Sequence, residues 1–464
     1  MNTPNFISPD EIRAKFSMAM SGMYRAEVPQ YGTLLELVGD INRSTLEDDV
    51  ALRKELLQTG ELDRIDVERH GAIRLGTERE LATMRRIFKV MGMHPVGYYD
   101  LSVAGVPVHA TAFRPIEDTA LRFNPFRVFT SLLRLELIEN EELREEARQL
   151  LVGREIFTPM ALSLLAQAEK EGGLHCGDAD QFIAEVTKTF SWHSEATVSS
   201  STYQKLLGAH RLIADVVCFK GPHINHLTPR TLDIDAAQLE MPRRGIKAKD
   251  LIEGPPRRRC PILLRQTSFK ALVEAIAFKG DSDAGTHTAR FGEIEQRGVA
   301  LTRKGRALYD QLLAKVRSMD GSGNTATDYE SRLQAVFSDF PDDYQTLHTE
   351  ELAFFRYAIV DEEAFAAATR GNNNFNLKVL IKKKIVGIQP IIYEDFLPVS
   401  AAGIFQSNLG GNEQKDYVAD SAQGGFEQAL QAPVLDEFVI YEKSRQLSLD
   451  SLKFQFEKTK SLSI

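Results

Sequence analysis

The stretch ERHGAIRLGTERELATMRRIFKVMG, residues 68–92, changes its period halfway along, and that change decides the fold. His70 to Leu75 is short, apolar and punctuated by Gly71 and Gly76, which reads as a strand. Thr77 then caps a helix, and Glu80, three residues on, completes a capping box. Leu81, Met84, Phe88 and Met91 recur at helical spacing as its buried face, and Gly92 ends it. Val96 to Leu101 and Val106 to Phe113 follow as strands, with Gly105 between them. The order is strand, helix, strands.

Upstream, residues 8–24 read as a helix. Ser8 caps it, Pro9 suits its first turn, Glu11 closes the box, and Ile12, Phe16, Ala19 and Met23 form its stripe. Further helical runs follow at Leu34 to Val38 and, heavily charged, at 45–68. Downstream, 125–215 reads as a helical insertion, its first helix carried by the spacing of Phe129, Leu132, Leu133 and Leu135.

Strand character resumes in VVCFKGPHINHLTPRTLDID, residues 216–235, from Val216 through His226. Asp233 to Leu239 is helical, so Asp233 and Asp235 read as helix-start residues. Leu251-Ile252, Ile262 to Leu264 and Leu272 to Phe278 are short strands or helices, and Thr288 to Gln296 is a strand. The order repeats, with His226 on a first strand as His70 is, and Arg230 four residues beyond it as Arg74 is beyond His70. Past a linker at Asp320 to Asn324, 328–370 is mostly helical, Leu377 to Lys383 and Val386 to Tyr393 are strands, and the tail from Glu427 is helical. The fold class is α+β. Residues 1–124 hold N-terminal helices and a first module, 125–215 the insertion, 216–320 a second module, and 321–464 a C-terminal α/β extension. The extension includes FLPVSAAGIFQSNLG, 396–410, an apolar loop of small residues suited to lining a pocket.

The 464 residues are 43% hydrophobic and 26% charged, an ordinary globular balance, with a net charge of −9 that argues against a charge-driven nucleic-acid binder. Arg257-Arg258-Arg259 reads as a solvated loop, and Lys382 to Lys384 as a solvated edge. Cys176, Cys218 and Cys260 are odd in number and far apart, which suits a reducing cytoplasm rather than a disulfide framework. No signal peptide and no membrane span are expected.

Alternation along a strand puts His70, Ala72 and Arg74 on one face, with His70 and Arg74 about 13 Å apart at ~3.3 Å per residue. That gap suits a small dicarboxylic acid, one end on a metal and the other on the planar guanidinium fork. Glu293 and Glu295 also share a face. Two imidazoles and one carboxylate leave three positions open on an octahedral iron. His223 and His226 face opposite ways on an extended strand, so one of them ligates, and spacing does not choose between them. It does not choose between Glu293 and Glu295 either. His94, His109, His175 and His210 read as hydrogen-bonded structural histidines.

At these residues the chain resembles the iron-dependent 2-oxoadipate dioxygenase/decarboxylases, or 2-hydroxyglutarate synthases, of the vicinal oxygen chelate superfamily. The likeness is carried by ERHGAIR (68–74), GYYDLSVAGVPVH (97–109), FRVFTSLLRLELI (126–138), GPHINHLTPRTLDID (221–235), ILLRQTSFKAL (262–272), HTARFGEIEQRG (287–298) and EDFLPVSAAGIFQSNLG (394–410). It implies two βαβββ modules forming a metal-holding β cup. It implies Fe(II) on His70, His226 and Glu293, which leaves Glu295, on the same face, to support the site or to pair with Arg297. It implies that a small 2-oxo dicarboxylic acid is bound by Arg74, Val399, Ser400 and His70. The implied reaction turns 2-oxoadipate and O2 into 2-hydroxyglutarate and CO2 in lysine breakdown. An oxygen-independent lyase or isomerase on the same fold, and a non-catalytic small-acid sensor, are the rival readings. Oxygen consumption separates the first rival, and the full set of His70, His226, Glu293 and Arg74 argues against the second.

Overall fold

The computed structural model describes residues 6–280, 284–319, 326–370, 374–397 and 419–461. It is a mixed α+β structure that divides into two compact units. One comprises 1–253, 266–296 and 395–435, the other 254–265, 297–394 and 436–464. This division differs from the one expected from the sequence. Residues 254–265 and 297–320 leave the second module, and 395–435 join the unit that holds His70 rather than the C-terminal extension.

The larger unit is built on a five-stranded sheet of β1 (Arg69–Leu75), β2 (His94–Asp100), β3 (Val108–Arg114), β4 (Arg127–Leu133) and β5 (Leu227–Pro229). The order is β2-β3-β4-β1-β5. β1 runs parallel to β4 and antiparallel to β5, with His70 opposite both Arg127 and Thr228. The helix Glu78–Val90 crosses between β1 and β2. Its capping box forms as expected, Thr77 Oγ1 accepting from Glu80 N at 3.1 Å and Glu80 Oε2 from Thr77 N at 3.2 Å. The matching box at Ser8 and Glu11 starts the helix Pro9–Glu27.

β1 has two faces with different work. Ile73 and Leu75 point into the core with Leu81, Met84, Ile87, Phe88 and Phe113, each buried side chain contributing roughly 1.5–3 kcal/mol. His70, Ala72 and Arg74 take the opposite face by the strand's period of two. β4 divides likewise, with Val128 and Leu132 in the core. β6 (Leu264–Ser268) pairs with β9 (Glu293–Arg297), and β7 (Glu274–Ala277) with β8 (Ala284–His287). Ile294 joins the core, which sends Glu293 and Glu295 the other way.

Several expected elements change type. Residues 127–133, read as the first helix of the insertion, are β4, buried along its whole length. The leucine spacing mimics a helix, but Val128, Phe129 and Thr130 carry the β-branched and aromatic composition of a central strand. Val216 and Val217 end the helix Arg211–Val217, whose residues from Leu212 on are all buried, and only Leu227–Pro229 of the following stretch is strand. A short apolar run buried on every side carries no periodicity to separate helix from strand. The elements after His226 thus run strand, the helix Ile234–Glu240, then β6 to β9 in two separate pairs, not one sheet repeating the first.

In the smaller unit, β10 (Phe355–Ile359) lies within the stretch read as helical and pairs antiparallel with β11 (Val386–Pro390). Leu377–Lys382, read as a strand, is a helix capped by Asn376, whose side chain accepts from Val379 N at 3.1 Å. Arg258 is not a solvated loop residue: it donates to the carbonyls of Phe340 at 2.7 Å and Pro341 at 2.8 Å. Lys382 to Lys384 are exposed, as expected. No helix among the described residues is long and apolar enough to cross a membrane.

Candidate metal centre

His70 comes from β1, Glu293 from β9, and His226 from the residue just before β5. Their ligand atoms lie within 4.8 Å of one another, and all three residues are buried. Two backbone contacts set His226. Asn225 N donates to Ala72 O at 2.9 Å, and Phe291 N donates to Asn225 O at 3.0 Å, tying the His226 segment to β1 and to the approach to β9. Gly71 makes the first contact possible. A Cβ there would lie 2.5 Å from Ile224 Cδ1 and 3.2 Å from His226 O.

The His70 ring sits between two carboxylates. Nε2 lies 3.1 Å from Glu293 Oε1, and Nδ1 lies 2.9 Å from Glu295 Oε2. Glu295 thus fixes the ring from behind while Nε2 faces the centre, the arrangement that orients metal-bound imidazoles. Behind Glu295 runs a buried chain of charges. Arg127 is 4.0 Å from Glu295 and donates to Glu68 at 2.9 Å, and Glu68 also takes Arg64 and Arg230. Phe396 packs on the His70 ring at 4.9 Å and on Phe129 at 5.4 Å. Asp395, next to it, is held by both arms of Arg114 at 2.7 and 2.9 Å, which anchors the start of the apolar loop beside the centre.

Glu293 Oε1 accepts from Gln266 Nε2 at 2.6 Å and Thr228 Oγ1 at 3.2 Å. Glu293 Oε2 and both ring nitrogens of His226 are buried with no hydrogen-bond partner among the described residues. Buried polar atoms in folded proteins are paired almost without exception, so Glu293 Oε2 and the unprotonated ring nitrogen of His226 call for a group that accepts lone pairs. Burial pushes the His226 pKa down to about 4, with the charges of His70 and Arg74 adding and Glu293 opposing. Its imidazole is therefore neutral near pH 7, the form that ligates a metal. Burial also pulls on His70, but the charge of Glu295 and the hydrogen bonds of Glu293 and Glu295 outweigh it and raise that pKa. A place between carboxylates that favours a proton favours a cation. The donor set of two imidazoles and one carboxylate fits a divalent transition metal.

Arg74 lies four residues along β1 on the face of His70, and its Nη1 donates to Asp215 Oδ2 at 2.6 Å. Val399 and Ser400 lie outside the described residues. His223 is absent from the triad. It lies with Asp215 and His287 in a second buried group of the same composition. Arg230, expected to echo Arg74, instead pairs with Glu61 and Glu68 in the buried charge chain. His94, His109, His175 and His210 belong to neither group. Asp233 is a helix cap, accepting from Ala236 N at 3.0 Å. Asp215 and His287 were not singled out from the sequence. The one available signal was an acid within the otherwise apolar run LIADVV, where burial demands a partner.

Comparison with known proteins finds relatives along nearly the whole chain. The family model for 2-oxoadipate dioxygenase/decarboxylase matches residues 16–408. The 2-oxoadipate dioxygenase/decarboxylase of Pseudomonas putida is 56% identical over 455 residues, covering 97% of this chain and 98% of its own. The protein of the same description from Escherichia coli is 57% identical over 445 residues, covering 96% and 98%. Among solved structures, hydroxyglutarate synthase from Pseudomonas putida in complex with 2-oxoadipate superposes with a TM-score of 0.91 at 53% identity, covering 98% of this chain and 100% of that one. The chain belongs to the 2-oxoadipate dioxygenase/decarboxylase family.

Proposed function

We propose that this chain is an Fe(II)-dependent dioxygenase/decarboxylase that converts 2-oxoadipate and O2 to 2-hydroxyglutarate and CO2 in lysine breakdown. The observation that carries this reading is the buried set of His70, His226 and Glu293, with Arg74 farther along the same face of β1. Iron held there would supply oxygen activation, and the electrons that reduce O2 would come from the substrate, through oxidative loss of the first carboxylate and hydroxylation of the adjoining carbon.

The protein's own residues bind, orient and shield. Arg74 takes the distal carboxylate through its guanidinium fork and so selects a dicarboxylic acid of fixed length. Glu295 holds the His70 ring in register, and Gln266 and Thr228 hold Glu293. Phe129 and Phe396 close the His70 side with aromatic surface and exclude water. Val399 and Ser400 complete the substrate contacts. We read the elements around His70 and around His226 as two diverged strand-helix-strands modules that form one cup. The buried free thiols of Cys218 and Cys260 suit a cytoplasmic enzyme.

The test is oxygen uptake by protein loaded anaerobically with Fe(II), on adding 2-oxoadipate, with the product identified by mass. Stoichiometric uptake with 2-hydroxyglutarate formed, and lost in His226→Ala, is expected. Turnover of 2-oxo acids without oxygen uptake would establish the lyase reading instead.

A further inference from the structure

The helical insertion contributes a residue with no assigned role, and the geometry points to one. We propose that Asp215, braced by His223 and His287, is a positioning residue that sets the plane of the Arg74 guanidinium and thereby the preference for a dicarboxylic over a monocarboxylic 2-oxo acid. The inference rests on the assignment of Arg74 to the distal carboxylate.

Asp215 lies near the end of the helix Arg211–Val217, His223 in the loop after it, and His287 at the end of β8. One carboxylate oxygen serves Arg74, with Nη1 at 2.6 Å from Oδ2. The other, Oδ1, is hydrogen-bonded to His287 Nε2 at 2.9 Å and lies 3.1 Å from His223 Nε2, a charge contact without hydrogen-bond geometry. His287 is fixed in turn by the Tyr203 hydroxyl, 2.8 Å from its Nδ1. Trp192 meets the edge of His223 at 4.7 Å, and Phe219 packs on His287 at 4.7 Å. Both carboxylate oxygens of Asp215 therefore have a hydrogen-bond partner.

A guanidinium carries five N–H donors in one rigid plane, so a short bond from Nη1 to a fixed carboxylate narrows where the rest of the fork lies. Asp215 is 5% exposed and Arg74 14%, so the bond is shielded on the Asp215 side and open toward solvent only at the arginine. The same bond brings an anion close to where a substrate carboxylate would sit, which by itself would repel it. Two imidazoles sharing Oδ1 draw that charge away from the arginine. The group also has the composition of a cation site. A guanidinium 2.6 Å from its carboxylate and a hydroxyl on the far nitrogen of His287 make it a poor one.

The test is anaerobic calorimetry on the metal-loaded full chain, comparing 2-oxoadipate with 2-oxohexanoate, which has the same chain length and lacks the distal carboxylate. Wild type is expected to prefer the dicarboxylate, and Arg74→Ala to lose that preference. Asp215→Asn is expected to lose roughly tenfold or more of it, with much less change for 2-oxohexanoate and an unchanged metal content. His287→Gln, which acts one step farther away, is expected to lose a smaller part, and it serves if Asp215→Asn does not fold. Wild-type preference retained in both variants while Arg74→Ala loses it overturns the positioning role and leaves the function standing. No preference in wild type overturns both. Two metal ions per chain, falling to one in Asp215→Asn, would make the group a second metal site instead.

Discussion

His70, His226 and Glu293 on one side, and His223, His287 and Asp215 on the other, are the same inventory: two imidazoles and a carboxylate, all buried. They differ in what surrounds them. In the second group the carboxylate already holds a cation, Arg74, and the far nitrogen of His287 meets Tyr203. In the first, Glu293 Oε2 and both nitrogens of His226 have no hydrogen-bond partner among the described residues. Composition nominates a metal site, and the presence or absence of a resident cation decides it. The second group is held by Arg74 and Tyr203, with His223 Nε2 also lacking a hydrogen-bond partner among the described residues, and we propose that the first group is the one a metal completes.

The sharpest way to break that contrast is to remove a ligand from the first group. Glu293→Ala is expected to lower metal affinity on the order of 10³-fold, one ligand's share of a metal-binding free energy, with turnover lost. Metal titration followed by dialysis checks it, and retention of metal would move the site elsewhere. Arg74→Ala separates the groups differently. Its KM for 2-oxoadipate is expected to rise roughly 10- to 100-fold, the worth of a charge-assisted bidentate contact, while iron content holds. Loss of iron in that variant would tie Arg74 to the metal and not to the substrate. Glu295→Gln sharpens the account of how His70 is held. Metal affinity is expected to fall about 10- to 100-fold, because the group that orients the ring and raises its basicity is gone.

A smaller effect tests the backbone beneath the first group. Gly71→Ala places a methyl 3.2 Å from His226 O and against Ile224, and is expected to cost about 1–3 kcal/mol of stability by denaturant unfolding, with weakened metal binding. Acid brings out the buried charges last. Asp215 and Glu68 are buried, which alone would raise their pKa values, but their cationic partners hold both well below the ordinary carboxylate range. Their contribution is complete above the unfolded value, near 4, and is lost as pH falls through the folded values. Unfolding free energy is therefore expected to be flat in these groups from pH 7 to about 5 and to fall below that.

What was legible in the sequence was local. The caps at Ser8 and Thr77, the strand at His70 and the shared face of His70 and Arg74 depend on neighbours within four residues, where spacing speaks directly. His223 against His226 was not legible. The 218–226 segment has no regular strand geometry, so alternation along it has no meaning, and the choice is made by Asp215 in one helix and Glu293 in β9. Glu293 against Glu295 was equally closed. Both carboxylates meet the His70 ring, one at each nitrogen, and spacing cannot say which nitrogen faces inward. β4 was lost because a central strand buried on both faces has no polar period to betray it. Asp215 and His287 meet only through a tertiary contact 72 residues apart in the chain, across the second module.

The central claim is that one of two like groups takes a metal and the other does not. The direct measurement is the number of iron atoms bound per chain after anaerobic loading, by elemental analysis, in wild type, Glu293→Gln and Asp215→Asn. One iron in wild type, lost in Glu293→Gln and kept in Asp215→Asn, is the expected result. Iron kept in Glu293→Gln and lost in Asp215→Asn would contradict it and exchange the roles of the two groups.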